Sequence, residues 1–323
     1  MDGAKAGNEL FLVRNHFYLG NFQECINQVQ KIKSPSVEKD MFLYRSYIGQ
    51  KQYGIVLDEV KNSSELYPIR LIAEYFSQQD RKAAIVQQVD DYVEKHRGSM
   101  DLAWIVAAGT IYFQEGLYEN CLRCKENSFQ CNSFNRKYII LTYFGDFSIA
   151  GEDLESLALS IQSLLKLNRV DLAKKTYETM QKTDEDATLT QLALAWIFME
   201  VGGEKLQDAF YIFQEFSDKY TPTVQLLNGQ AVCLIGQEKY EEAESTLREA
   251  LNKDPNNYDT LINLMALSQQ QETGWEIPQR YLTQLRENYR DSPFIREYTK
   301  KESDFDTFAQ QYAPSKSLNL EAY

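Results

Sequence analysis

The stretch Leu227–Pro255, LNGQAVCLIGQEKYEEAESTLREALNKDP, decides how the rest of the chain reads. Two segments with the apolar period of an amphipathic helix flank Gly236-Gln237-Glu238-Lys239. Pro255 stops the second segment, because proline has no amide N–H with which to continue a helix. The pair is a helical hairpin whose apolar face must be covered by something else. That cover is the rest of the chain, another protein or a small ligand.

The spacing inside the hairpin narrows the choice. Leu227, Ala231, Leu234, Tyr240, Ala243, Leu247, Ala250 and Pro255 follow the order of the roughly 34-residue tetratricopeptide unit. Small residues at Ala231 and Ala243 allow close helix approach, and the leucines beside them fill the remaining space. Ala107–Arg123, AAGTIYFQEGLYENCLR, repeats these offsets through Gly109, Tyr112, Gly116, Tyr118 and Cys121. Weaker copies keep the frame. Gly20-Asn21-Phe22 with Cys25 marks one turn, and Tyr53 with Val56 and Val60 marks another. Asn168-Arg169-Val170 with Ala173 and Tyr177, and Gly202-Gly203 with Ala209, Phe213 and Phe216, mark two more. A stretched copy runs through Leu261, Leu264, Trp275, Tyr281 and Leu285 to Pro293. The expected fold is all-α, a tetratricopeptide-like α-solenoid of antiparallel helix hairpins curved into a right-handed superhelix, in which each unit covers its neighbour. The expected division is a short flexible N-terminus at 1–8, a single solenoid at 9–312 and a C-terminal tail at 313–323.

Composition agrees with helix and removes several function classes. Only 15 glycines and 7 prolines in 323 residues are too few for the frequent turns of a sandwich or barrel. With 47 acidic against 34 basic residues the net charge is −13, which repels nucleic-acid phosphates and anionic lipid. The N-terminus MDGAKAGNELFLVRNHF lacks the basic and apolar regions of a secretory leader, and no apolar run spans a bilayer. Five cysteines without a leader fit a reducing cytosol.

Beyond the repeat, particular wording resembles the epsilon-subunit family of coatomer, the coat of COPI vesicles. SLLKLNRVDLAKKTYETMQKTDEDATLTQLALAW (163–196), GGEKLQDAFYIFQEF (202–216), LLNGQAVCLIGQEKYEEAESTLREALNKD (226–254), TLINLMALSQ (260–269) and SPFIREYTKKESDFDTFAQQYAP (292–314) carry it. ELFLVRNHFYLGNFQECINQVQ (9–30) and DMFLYRSYIGQKQYGIVLDEVK (40–61) are similar to the same family. The resemblance implies a non-enzymatic cytosolic coat component, peripheral on Golgi membrane and COPI vesicles, in retrograde Golgi-to-ER and intra-Golgi transport. It implies direct binding to the C-terminal region of the alpha subunit, assembly with beta-prime, and indirect membrane recruitment through an Arf-type GTPase. KENSFQCNSFNRKYIILTYFGDFSIA, at 125–150, departs from that pattern and reads as an insertion.

No chemical constellation stands out. Cys121 and Cys124 have the Cys-x2-Cys spacing and Cys131 follows, but His16 and His96 are remote and no second such pair exists. Packing explains Cys121 better than zinc. No catalytic residue, cofactor or metal is expected. Gly202-Gly203 lacks the Lys-Ser/Thr of a phosphate loop and reads as a turn. Glu241-Glu242 and Asp184-Glu185-Asp186 read as acids at helix starts, where they complement the dipole. The functional candidates are therefore positions on the inner face of the first helix of each hairpin. They are Val106, Thr110 and Phe113; Leu192, Trp196 and Met199; and Asn228, Val232 and Ile235. Such an apolar face suits a protein segment rather than a metabolite. The competing reading is an adaptor or co-chaperone that clamps a partner's acidic C-terminal peptide. That chemistry needs Lys, Arg and Asn in the groove, and only Asn228 qualifies.

Overall fold

A computed structural model describes residues 2–96, 100–126, 153–271, 274–290 and 292–312. The segment read as an insertion lies almost entirely outside these residues, as does the tail at 313–323. The described residues contain seventeen α-helices and no strand.

The chain divides into two compact units, Met1–Gln237 and Glu238–Tyr323. The first holds α1 (Asp2–Tyr18), α2 (Phe22–Lys31), α3 (Val37–Gly49), α4 (Tyr53–Glu59), α5 (Tyr67–Ser77), α6 (Lys82–Lys95) and α7 (Leu102–Gln114). It continues through α8 (Tyr118–Glu126), α9 (Leu154–Lys166), α10 (Val170–Thr183), α11 (Thr188–Val201), α12 (Lys205–Lys219) and α13 (Val224–Gly236). The second holds α14 (Tyr240–Lys253), α15 (Tyr258–Gln270), α16 (Glu276–Asn288) and α17 (Pro293–Tyr312). Residues 2–8, expected to precede the array, belong to α1.

One turn device recurs along the first unit. Gly20 (φ 77), Lys51 (φ 62), Gly116 (φ 75) and Asn168 (φ 55) each stand two residues past the end of an odd-numbered helix, in left-handed conformation. The next amide reaches back to the carbonyl five residues earlier. Asn21 donates to His16 at 2.8 Å, Gln52 to Tyr47 at 2.9 Å, Leu117 to Tyr112 at 2.8 Å and Arg169 to Leu164 at 2.8 Å. Each bond satisfies a carbonyl left over at the helix end and turns the chain within a few residues. Phe22, Tyr53, Tyr118 and Val170 then open the even-numbered helices.

Several odd-numbered helices begin differently, after an extended linker, and need a side-chain cap. Asp101 accepts from the Trp104 amide at 2.9 Å and Asp153 from Ser156 at 2.9 Å. Thr223 accepts from Leu226 at 3.3 Å and Asn257 from Thr260 at 3.1 Å. The acids Glu241 and Glu242 lie in the first turn of α14, where a negative charge complements the dipole. Asp184–Asp186 correct the sequence expectation. Asp184 caps the C-terminal end of α10, the N-cap of α11 is Ala187, and the Asp184 carboxylate accepts from the Asp186 amide at 3.2 Å in the linker. Three consecutive acids close to a helix start looked like dipole partners, but the local Asx turn uses them first.

Cores form where hairpins stack. Leu71, Ile85, Val89, Ile111 and Tyr112 join α5 through α7, with Cys121 and Cys124 of α8. Leu157, Ile161, Leu172, Met180 and Ile197 join α9, α10 and α11. In the second unit Leu261, Met265, Leu282, Leu285 and Ile295 do the same for α15, α16 and α17.

The turn device predicts opposite signs for two glycines with open space around them. Gly116 is left-handed and Gly54 lies inside α4 with no left-handed φ, and neither would place a Cβ near another atom. Gly116→Ala should lower unfolding free energy by ~1 kcal/mol through backbone strain, whereas Gly54→Ala should raise it by ~0.5–1 kcal/mol. Urea titration of both variants checks the pair, and a stabilising Gly116→Ala would contradict the turn geometry.

Candidate functional site

The nine candidate positions fall on three odd-numbered helices, and the structure treats each helix differently. On α7, Val106 is buried, and Thr110 donates its hydroxyl to the Val106 carbonyl at 2.7 Å. Half-buried Phe113 meets the Tyr118 ring edge-on at 5.4 Å. On α11, buried Leu192 and half-buried Trp196 and Met199 border a cavity of about 90 Å³. On α13, Asn228 is buried with its amide donating to the Val224 carbonyl at 2.9 Å, while Val232 and Ile235 are half-buried. The structure thus gathers Leu192, Trp196 and Met199 around one space. The α13 side of that space is lined by Gln225, Leu226 and Gly229 rather than by the three α13 candidates.

The cavity's remaining walls are Phe213 of α12 and Tyr18, at the end of α1. Sequence reasoning missed Tyr18 and the docking that brings it there. Asn15 is buried, and both ends of its amide are satisfied at long range. Its Nδ2 donates to the Tyr220 hydroxyl at 2.9 Å, and its Oδ1 accepts from the Thr188 hydroxyl at 2.8 Å. The Thr223 hydroxyl donates to the Leu19 carbonyl at 2.6 Å, and His16 lies edge-on to Tyr220 at 5.7 Å. Leu19 is fully buried among Leu192, Phe213, Phe216 and Leu226. No periodicity reports a match between side chains some two hundred positions apart. The only local sign is a buried-type polar residue, Asn15, on an otherwise apolar stripe.

A second junction is ionic. Arg45 of α3 holds Glu155 at the start of α9, with Nη1 2.9 Å from both carboxylate oxygens and both side chains largely buried. The guanidinium carbon also stands 4.4 Å from the Phe17 ring centroid and 5.5 Å from that of Phe42. A largely buried charge pair of this kind is tolerated because its hydrogen bonds are made and aromatic faces supply further attraction. Burial, with Glu155 beside it, pushes the Tyr18 hydroxyl far above the ordinary phenol range.

These junctions are structural. Cys121 and Cys124 are buried, and burial pushes both thiols up, away from the thiolate that nucleophilic or zinc chemistry uses. Cys131 lies outside the described residues. Among the described residues no three His, Cys, Asp or Glu side chains converge as a metal site, and no helix is long and apolar enough to cross a membrane.

The family model described as "Coatomer epsilon subunit" matches residues 6–141 and 146–313. The chain belongs to the coatomer epsilon subunit family. Coatomer subunit epsilon of Dictyostelium discoideum is 38% identical over 295 residues, covering 86% of this chain and 89% of that protein. Coatomer subunit epsilon-1 of Arabidopsis thaliana is 33% identical over 311 residues, covering 95% and 98%. A tetratricopeptide repeat protein from Parabacteroides merdae superposes with a TM-score of 0.52 at 11% identity, over 86% of this chain and 97% of that one, which shows a shared fold. Membership makes the chain a coatomer subunit, and family and fold together point to a structural, non-catalytic one.

Within this coatomer subunit, Asp153 gives the α3–α9 junction a pH signature. It caps α9, and burial, then the charge of Glu155, push its carboxyl from 3.8 up to about 6. A carboxyl with a raised folded pKa binds its proton more tightly in the fold. Its contribution therefore favours folding at pH 4 and is lost as pH rises to about 6. Asp153→Asn keeps a capping oxygen without the charge, so at pH 7 it should be more stable than the parent by on the order of 2 kcal/mol, the gap closing near pH 4. Denaturant melts of both proteins at the two pH values test this; equal gaps at both would refute the assignment.

Proposed function

We propose that this chain is the COPI subunit that binds and stabilises the C-terminal region of alpha-coatomer. In that role it acts in the outer coat with beta-prime, in retrograde Golgi-to-ER and intra-Golgi transport. It works on the cytosolic face of Golgi membranes, reached indirectly through an Arf-type GTPase. The observation that carries the reading is the set of apolar residues on odd-numbered helices that their own cores leave half-covered: Phe113, Trp196, Met199, Val232 and Ile235. Half-covered aromatic and branched residues on rigid helices are what a bound protein segment buries, at low entropic cost because the helices are already ordered. The Thr110 hydroxyl and the Asn228 Nδ2 each donate within their own helix, and none of the nine positions is charged, so the face offers a partner shape and apolar area rather than charge.

Trp196 also packs against two internal cores, so charging it would damage the fold. Phe113→Glu combined with Ile235→Glu probes the surface with less risk. Copurification with the alpha C-terminal region should weaken at least ~10-fold for the double variant at unchanged helical circular dichroism. Tyr211→Glu, on the exposed side of α12, should bind as the parent does. Undiminished binding by a folded double variant would assign the alpha contact elsewhere.

A further inference from the structure

The C-terminal helix α17 carries a seam that is half used. Phe294, Tyr298, Lys301, Phe305, Phe308 and Tyr312 succeed one another in alternating steps of four and three, the spacing of a helix-pairing stripe. The first two packs of that stripe are made inside the second unit. Phe294 and Tyr298 lie against Leu261, Met265, Leu282 and Leu285, and Arg286 stacks on Tyr298 at 5.7 Å. Beyond Tyr298 the same face continues without cover. Phe305 is 71% exposed, Phe308 58% and Tyr312 75%. From Tyr298 to Tyr312 the helix runs about 21 Å. Beside its docked end lies a cavity of about 420 Å³ lined by Tyr298, Met265, Leu282 and Pro278, with Trp275 standing 76% exposed at the rim. Exposed aromatics in one line, continuous with a packed core and ending at a cavity, are the composition of an interface centre.

The charges select the occupant. Lys301 is held by Glu297 at 2.8 Å and Arg286 by Glu302 at 2.6 Å. From Glu302 to Tyr312 the helix has three acids, Glu302, Asp304 and Asp306, and no Lys or Arg. Pairing with a second copy of the same helix would bring these acids together, and an anionic lipid surface would be repelled. We propose that the exposed face of α17, with Trp275 and the adjacent cavity, docks an amphipathic α-helix of a partner protein. The partner helix presents an apolar stripe flanked by Lys and Arg, and one large apolar side chain enters the cavity. This surface belongs to the second unit, and the proposal does not depend on Phe113, Trp196 or Ile235 of the first.

Two designed helical peptides of equal length and identical leucine stripe, one flanked by lysines and one by glutamates, test the proposal on the full chain by fluorescence anisotropy. The lysine peptide should bind saturably and the glutamate peptide should not. Phe305→Asp with Phe308→Asp should weaken the lysine peptide at least ~10-fold, and Trp275→Ala should weaken it in the same direction. The double variant adds negative charge, so attraction to net charge alone would hold or strengthen, and that result overturns the proposal. Equal binding of both peptides overturns it too. Sedimentation showing a dimer that the double variant abolishes would give the face to a second copy, and flotation with neutral phosphatidylcholine vesicles lost in that variant would give it to lipid. Because Phe305 and Phe308 are exposed, unchanged helical circular dichroism should accompany each result.

Discussion

The first unit depends on one long-range agreement, the docking of the end of α1 onto α11, the end of α12 and the start of α13. Asn15 satisfies both ends of its amide on Tyr220 and Thr188, and Thr223 closes the Leu19 carbonyl. A buried amide left unpaired would cost more than each bond gains, so the set is made as a whole or lost as a whole. Leu19 supplies the apolar part of the same contact. An array of hairpins ordinarily stabilises each unit through its immediate neighbours. Here a helix from the beginning of the chain adds a tie across some two hundred residues, and the Arg45–Glu155 pair adds another.

That tie changes what the inner faces can do. The space bordered by Leu192, Trp196 and Met199 is small because Tyr18 forms one wall of it. Residues that a single hairpin would leave for a partner are in part consumed by the chain itself. What remains half-covered, around Phe113, Val232 and Ile235, is a set of apolar edges rather than an open trough. The second unit shows the reverse economy. Its core stops at Tyr298, while the apolar stripe of α17 goes on to Tyr312.

Much of this was legible in the residues. The two helical segments read in Leu227–Pro255 appear as α13 and α14, broken where Gly236–Lys239 indicated and ended just before Pro255, and they fall in different units. Gly20, Gly116 and Gly202 mark turns, and Asn168 does the same as the non-glycine type that best tolerates left-handed backbone. The acids at 184–186 misled because charge near a helix start and charge in an Asx turn look alike in one dimension. Helical spacing puts Leu192, Trp196 and Met199 on one face of α11, and all three border the small cavity, but spacing does not reveal that Gln225, Leu226 and Gly229 of α13 line it with them. Which side of a helix faces a neighbour depends on how the two cross.

The sequence by itself determined the helices, their pairing into hairpins, the repeat type and the family, because each is set by residues within one or two turns or by wording along the chain. Only the tertiary structure decided where α1 docks, that Arg45 meets Glu155, how far the inner faces are filled, and where the second unit's core ends. Those outcomes rest on complementarity between surfaces far apart in the chain. A 3.6-residue period can say that a face exists; what lies against it is fixed only when the hairpins are stacked.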